Sequence, residues 1–447
     1  MQELSGFPYV ELELGKDAET VDRAGFDELL GEVSAGDPLD VVALAHGWNN
    51  DTEDARHLYA GLATQLRGVL DTSPPPELGA RRFAILGVLW PSKKFADHAL
   101  IPGGAAGTSA AADAQLQARL DQLEGAFDAP DADDRLAQAK TLVSRLEESS
   151  EARDEFVELL RGAVPDLPGA DEDDFSSEFH TMPGSDVLER LKAPVLERSR
   201  RSGNGSSGGA ASAAVGHTGR HDPEGEGGAL GLSLSGFKAA GERFLNLTTY
   251  YQMKQRAGLI GASGLNPRLR ELRERSSTVR LHLVGHSFGG RLVTAATVGA
   301  PGQPAVEPDT VTLLQAAFSH YGFAQSYDAG KDGFFRRMLS DRMTRGPIVV
   351  THSAKDTAVG YAYPLASRLA GFAAASIGDS HDRYGGIGRN GAQMTPEAIS
   401  GRLEDPGTHY GFAAQHVYNL NADSVILDHS AICVPQVAYA VLSAVAA

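Results

Sequence analysis

The sequence predicts an α/β fold: a mostly parallel central sheet flanked by helices, broken by one large, mainly helical insertion. Three observations predict it. Short apolar runs bounded by turn residues alternate with helical patterns, the usual signature of parallel strands joined by crossover helices. The pentapeptide Gly285-His286-Ser287-Phe288-Gly289 stands between one such run and a helical pattern. Finally, the alternation stops between residues 92 and 240.

The elements follow in chain order. Asp40-Val41-Val42-Ala43-Leu44-Ala45 reads as a buried strand, and a helix is expected over 52–71. Phe83-Ala84-Ile85-Leu86-Gly87-Val88-Leu89 is a second strand, ending at Trp90-Pro91. Further strands are predicted over 279–284, 311–316, 347–351 and 417–420, with helices over 289–298, 363–372 and 432–446. Within the break, Leu116, Leu120, Leu123 and Phe127 share one helical face, and Phe156, Leu159, Leu160 and Val164 share another. A Gly-, Ser- and Ala-rich stretch over about 199–236 offers too little apolar surface to order itself and is read as a flexible strap. A long helix over 237–259 resumes the pattern. The expected organisation is a core of residues 1–91 and 241–447, with 92–240 as an acidic lid or cap.

Composition narrows the function classes. The chain has 447 residues, 42% apolar and 22% charged, with a formal net charge of −18. Residues 121–200 alone hold 21 Asp or Glu against 9 Lys or Arg, a balance of −12. Such a surface repels phosphate backbones, so nucleic acid is not expected as a partner. One cysteine, Cys433, allows no internal disulfide and no cysteine-based zinc site, and it reads as a packed small hydrophobe. The start of the chain lacks a basic, apolar leader, and 18 consecutive apolar residues occur nowhere. The expectation is therefore a cytoplasmic protein with no integral membrane segment, and oligomeric state is left open.

Ser287 is the candidate nucleophile. In a Gly-x-Ser-x-Gly elbow a sharp strand-to-helix turn presents the serine, and small flanking residues relieve the crowding. A second match, Gly205-Ser206-Ser207-Gly208-Gly209, has neither strand nor helix beside it and reads as linker. With the order nucleophile, acid, base, the partners must follow Ser287. Asp356, in the loop after the strand ending at Thr351, is the preferred acid over Asp328, Asp332 and Asp379. His429 is the preferred base because it follows the last strand and precedes the last helix; His381, His409 and His416 lie in loops or at a strand entrance. Two backbone donors are expected for the oxyanion: the N–H of Phe288, next to the nucleophile, and the N–H of Trp48 in His46-Gly47-Trp48-Asn49-Asn50, where Gly47 permits close backbone approach.

Taken together, His46-Gly47-Trp48-Asn49-Asn50, Trp90-Pro91-Ser92, Gly285-His286-Ser287-Phe288-Gly289, Ser353-Ala354-Lys355-Asp356 and Asp428-His429-Ser430 resemble the bacterial α/β-hydrolase superfamily of serine esterases and lipases. The resemblance spans about residues 40–92 and 240–432. It implies an α/β-hydrolase fold with Ser287, Asp356 and His429 as nucleophile, acid and base, and carboxylic esters, small-molecule or lipid, as substrates. The single Gly before Trp48 departs from the Gly run of many lipases. The insertion is not covered, so no particular substrate is implied. A lid-gated lipase or phospholipase, and a non-catalytic binding protein on the same fold, are the alternatives. No cofactor or metal is expected: His282 and His286 flank the elbow without a carboxylate pair, and Tyr384-Gly385-Gly386-Ile387-Gly388 lacks the strand and the Gly-Lys-Ser/Thr of a phosphate loop.

Overall fold

The computed structural model describes residues 1–48, 50–92, 109–164, 178–192, 236–356 and 382–447. The helix expected over 363–372, most of the strap, the second Gly-x-Ser-x-Gly match, His381 and Asp379 lie outside these residues. The described residues form two compact units: those within 1–94 and 249–447 the first, and those within 95–165 and 178–248 the second.

The first unit is α/β. Its strands are β1 (Gln2–Leu4), β2 (Phe7–Leu14), β3 (Thr20–Asp22), β4 (Leu39–Ala45), β5 (Phe83–Leu89), β6 (Val279–His286), β7 (Thr310–Leu314), β8 (Ile348–His352), β9 (Ala398–Arg402) and β10 (Val417–Asn421). They form one sheet in the order β1-β2-β5-β4-β6-β7-β8-β10-β9, with β3 paired to β2. Every pairing from β2 through β9 along this order is parallel, whereas β1 and β3 pair with β2 antiparallel. The central strands are apolar at nearly every position because helices cover both faces.

One face is closed by α2 (Thr52–Thr72) and the C-terminal helix Pro435–Ala446, which share a core with Val42, Leu44, Ile85, Val284, Leu314 and Val349. The helix α2 starts at Asp51, whose carboxylate accepts from the backbone N–H of Glu53 and Asp54 in a capping box. The other face carries α1 (Ala24–Ser34), α9 (Asn266–Arg275) and α10 (Phe288–Val298). A π-helical turn, Ile260–Leu265, leads into α9 and packs on α10.

The second unit is helical: α3 (Ser109–Gln122), α4 (Ala132–Leu142), α5 (Ser150–Gly162), α6 (Glu178–Thr181) and α7 (Gly184–Leu191), with the first half of α8 (Phe237–Leu259). The two stripes expected from sequence supply much of its core: Leu116, Leu120, Leu123, Phe127, Phe156, Leu160 and Val164 are buried. Phe179 stacks on Phe244 at 5.1 Å between ring centroids. Arg161 ties α5 to α6 through the Phe179 and Met182 carbonyls. Among the described residues, no helix is long and apolar enough to cross a membrane.

The strand order fixes where a site can form. From β4 the chain crosses to β5 on one side, and from β6 it crosses to β7 on the other. Between β4 and β6 the connections diverge, leaving a crevice at the carboxyl ends of both strands. Ala45 and Gly285 are register partners there, so the loop starting at His46 runs beside the turn containing Ser287.

Candidate active site

Ser287 sits at the turn between β6 and α10 with φ 56° and ψ −124°, a left-handed conformation that side-chain-bearing residues rarely adopt. Holding it there costs about 1–3 kcal/mol, so the surroundings must over-determine it. They do so on both sides. The Ser287 N–H donates to the Leu314 carbonyl at 3.1 Å, and the Ser287 carbonyl accepts from Gly290 and Ala317 at 2.9 Å each. The next turn packs so tightly on β4 that a Cβ at Gly289 would stand 2.1 Å from the Ala45 carbonyl oxygen. The serine therefore projects from the strand end at the amino terminus of α10, where the first amides and the helix dipole favour negative charge.

Asp356 and His429, the expected acid and base, come from the loops after β8 and β10, which are adjacent parallel strands. Asp356 is fully buried and its Oδ2 lies 2.8 Å from His429 Nδ1. The two loops are tied together by the Ser353 hydroxyl donating to the Ile426 carbonyl (2.9 Å) and the Ala354 N–H donating to Asp423 Oδ1 (2.7 Å). Arg389 donates to the Asp356 main-chain carbonyl at 3.0 Å. With Nδ1 committed to the carboxylate, Nε2 is the ring nitrogen left for proton transfer. Burial pushes the His429 imidazole down, but the charge and hydrogen bond of Asp356, with Asp428 adding its charge, push harder and leave its pKa above the ordinary value.

His429 lies against the elbow. The His286 ring is 4.7 Å from the His429 ring, and His286 Nε2 is 2.8 Å from the His429 carbonyl oxygen. That oxygen can only accept, so His286 Nε2 carries a proton. Burial, reinforced by the nearby His429, pushes the His286 pKa down to about 3. No hydrogen bond closes between Ser287 Oγ and His429 among the described residues; nucleophile–base bonds are often long without substrate and tighten when it binds.

The loop after β4 forms the opposite wall. A Cβ on Gly47 would stand 2.6 Å from Ser287 Cβ and 3.1 Å from its Oγ, so only glycine lets this backbone lie beside Ser287. Trp48 is half-buried with its ring 6.2 Å from that of Phe288, and Phe288 in turn packs on Tyr250 at 5.1 Å. His46 is buried beneath them. Its N–H donates to the Tyr59 hydroxyl, its Nδ1 faces the Gly47 carbonyl at 2.9 Å, and its Nε2 accepts from the Trp90 N–H at 3.3 Å. The Trp90 indole stacks on the imidazole at 5.4 Å and donates to the His46 carbonyl. Burial pushes the His46 pKa down to about 4, as this neutral arrangement requires.

The structure thus gathers Gly47, Trp48, Ser287 and Phe288 at the switch point and pairs Asp356 with His429 beside His286. The rejected candidates lie elsewhere in hydrogen-bonding terms. Asp328 pairs with Arg383, Asp332 accepts from the Ser326 N–H, His409 faces Glu77 on the surface, and His416 Nδ1 meets the Ala414 carbonyl. His282 is a core residue between Asp40 and Thr310, both at 2.9 Å. The segment Tyr384–Gly388 is less open than a plain loop: Ile387–Asn390 forms a short helix, and Gly388 joins the Ala316 carbonyl to the Ser353 N–H. Sequence reasoning read His286 only as a core or supporting histidine beside the elbow and Ser92 only as part of Trp90-Pro91-Ser92, since the contacts each makes, to the His429 carbonyl and to the Gly47 carbonyl, exist only after folding. Among the described residues, no group of three or more His, Cys, Asp or Glu is placed to hold a metal ion. No family model, curated protein or solved structure matches the chain.

Proposed function

We propose that this chain is a serine hydrolase of the α/β-hydrolase type that cleaves carboxylic esters through Ser287, His429 and Asp356. The observation that carries the reading is a serine held at φ 56° at the switch point, with the adjoining His286 packed on a histidine, His429, whose Nδ1 is bound to a buried carboxylate at 2.8 Å. Strain of this kind is retained where a hydroxyl must be presented, and a raised histidine pKa suits a residue that takes and returns a proton.

In this reading Ser287 Oγ attacks the ester carbonyl carbon while His429 Nε2 takes the hydroxyl proton. Asp356 stabilises the resulting imidazolium. The carbonyl oxygen becomes an oxyanion facing the Phe288 and Trp48 N–H groups, at the positive end of α10. Collapse of the tetrahedral intermediate breaks the ester C–O bond, and the imidazolium protonates the departing alcohol. Water, deprotonated by His429, then attacks the acyl-enzyme, and Ser287 recovers its proton as the carboxylic acid leaves.

A panel of p-nitrophenyl esters of increasing acyl length tests the proposal. Wild-type protein should hydrolyse at least one of them, and Ser287→Ala should lose roughly 10⁶-fold in kcat, the scale of losing a triad serine. Residual activity near wild type in that variant would refute the assignment.

A further inference from the structure

The carbonyl of Gly47 is the most heavily engaged acceptor at the site. It accepts from His46 Nδ1 at 2.9 Å, from the Ser92 hydroxyl at 3.0 Å and from Asn50 Nδ2 at 3.3 Å. These donors come from two loops: His46 and Asn50 follow β4, and Ser92 follows β5. Ser92 is buried, and its single hydroxyl proton is shared with the Asn50 carbonyl at 2.8 Å, so the same side chain also shapes the turn beyond Trp48. A planar trans peptide directs its N–H opposite to its C=O, and no cis bond is present among the described residues. Fixing the Gly47 carbonyl therefore fixes the direction of the Trp48 N–H. Donors on a peptide oxygen also polarise the group and strengthen the N–H at its other end.

We infer that Ser92, assisted by Asn50, is a positioning residue that aims the Gly47–Trp48 peptide so that the Trp48 N–H meets the developing oxyanion. The inference rests on the serine hydrolase reading and adds to it a residue that touches neither substrate nor the triad. His46 serves the same carbonyl, but its ring also stacks on Trp90 and accepts from the Trp90 N–H, so its removal would disturb the core. The Ser92 hydroxyl donates only to the Gly47 and Asn50 carbonyls among the described residues, so its removal leaves the core contacts of His46 in place. Without its hydroxyl the peptide keeps two donors but gains freedom to rock, and the loss should fall on the transition state, where the oxyanion exists, and spare the ground state.

The test compares wild type, Ser92→Ala, Ser92→Thr and Asn50→Ala with p-nitrophenyl butyrate, each rate normalised to the fraction of sites labelled by a fluorophosphonate. A trifluoromethyl ketone, whose adduct carries an oxyanion, reports the hole directly. Removing an oxyanion donor outright costs roughly 10²–10³-fold in kcat, so loosening one should cost about tenfold in Ser92→Ala and about threefold in Asn50→Ala. KM should stay within about twofold, ketone affinity should fall by the same factor as kcat, and Ser92→Thr should restore most of both. An unchanged normalised kcat overturns the inference, as does a loss that appears in KM or one that Thr does not rescue. If Ser92→Ala does not fold, the same criteria applied to Asn50→Ala decide. Wild type that neither hydrolyses the ester nor takes the label sinks the hydrolase reading itself, and this inference with it. An active wild type with an unaffected Ser92→Ala sinks the inference alone.

Discussion

At the residue scale, three neighbouring histidines are driven in opposite directions by their surroundings. His429 faces the Asp356 carboxylate and is held above the ordinary imidazole range, whereas burial holds His286 and His46 neutral, at about 3 and about 4. Only His429 is then suited to accept a proton near neutrality. Because the base must be deprotonated to act, kcat/KM should fall as pH drops through the His429 pKa, and that acid limb should lie above 6.5. Replacing Asp356 with Asn removes the charge that favours the imidazolium, so the limb should move to lower pH. The same change frees the wrong tautomer and should cost roughly 10⁴-fold in kcat. A pH–rate profile of both proteins checks the two expectations, and an acid limb that stays in place would separate Asp356 from the mechanism.

At the level of elements, the loop after β4 and the helix that follows it make separate demands. Gly47→Ala forces a methyl group against Ser287, at 2.6 Å from its Cβ. Activity should fall at least about 100-fold, comparable to losing an oxyanion donor, since either the loop or the serine must move. Asp51→Ala leaves the site's groups in place and removes the cap of α2, so it should cost about 1 kcal/mol of stability with little change in kcat. Thermal denaturation alongside ester turnover separates the two effects. The elements that build the switch point were legible because buried parallel strands are written as unbroken apolar runs, as in β4, β5 and β6. Strands at the sheet edges were not. β9, Ala-Ile-Ser-Gly-Arg, is exposed at four of its five positions and has a single large apolar residue, Ile399, too little for an apolar run. The helix α9 was missed for a related reason: Asn-Pro-Arg-Leu-Arg-Glu-Leu-Arg-Glu-Arg is mostly charged, and it anchors its apolar face with Leu269 and Leu272 alone. Asp356 and His429 could be chosen from chain order and loop position. The bond from His286 to the His429 carbonyl spans 143 residues, and no local pattern encodes it.

For the molecule as a whole, burying neutral histidines ties stability to pH. Burial depresses the pKa of His46 to about 4 and of His286 and His320 to about 3, each well below an unfolded value near 6.5. The unfolded chain therefore binds protons that the folded one refuses, and the contribution of these groups, present above pH 6.5, is lost as pH falls toward the folded values. Between pH 6.5 and 5 each should withdraw about 2 kcal/mol, with His429 opposing them because its own pKa is raised. Denaturant midpoints at pH 7 and pH 5 check this, with a lower midpoint expected at pH 5 and a flat profile contradicting it.

The central claim is that the hydroxyl of Ser287 is an activated nucleophile, and covalent labelling tests it most directly. Wild-type protein treated with a fluorophosphonate should gain one adduct, located by peptide mass on Ser287, with Ser287→Ala unlabelled and His429→Ala labelled far more slowly. No adduct on the folded wild type, or an adduct at any other residue that persists in Ser287→Ala, would contradict the account.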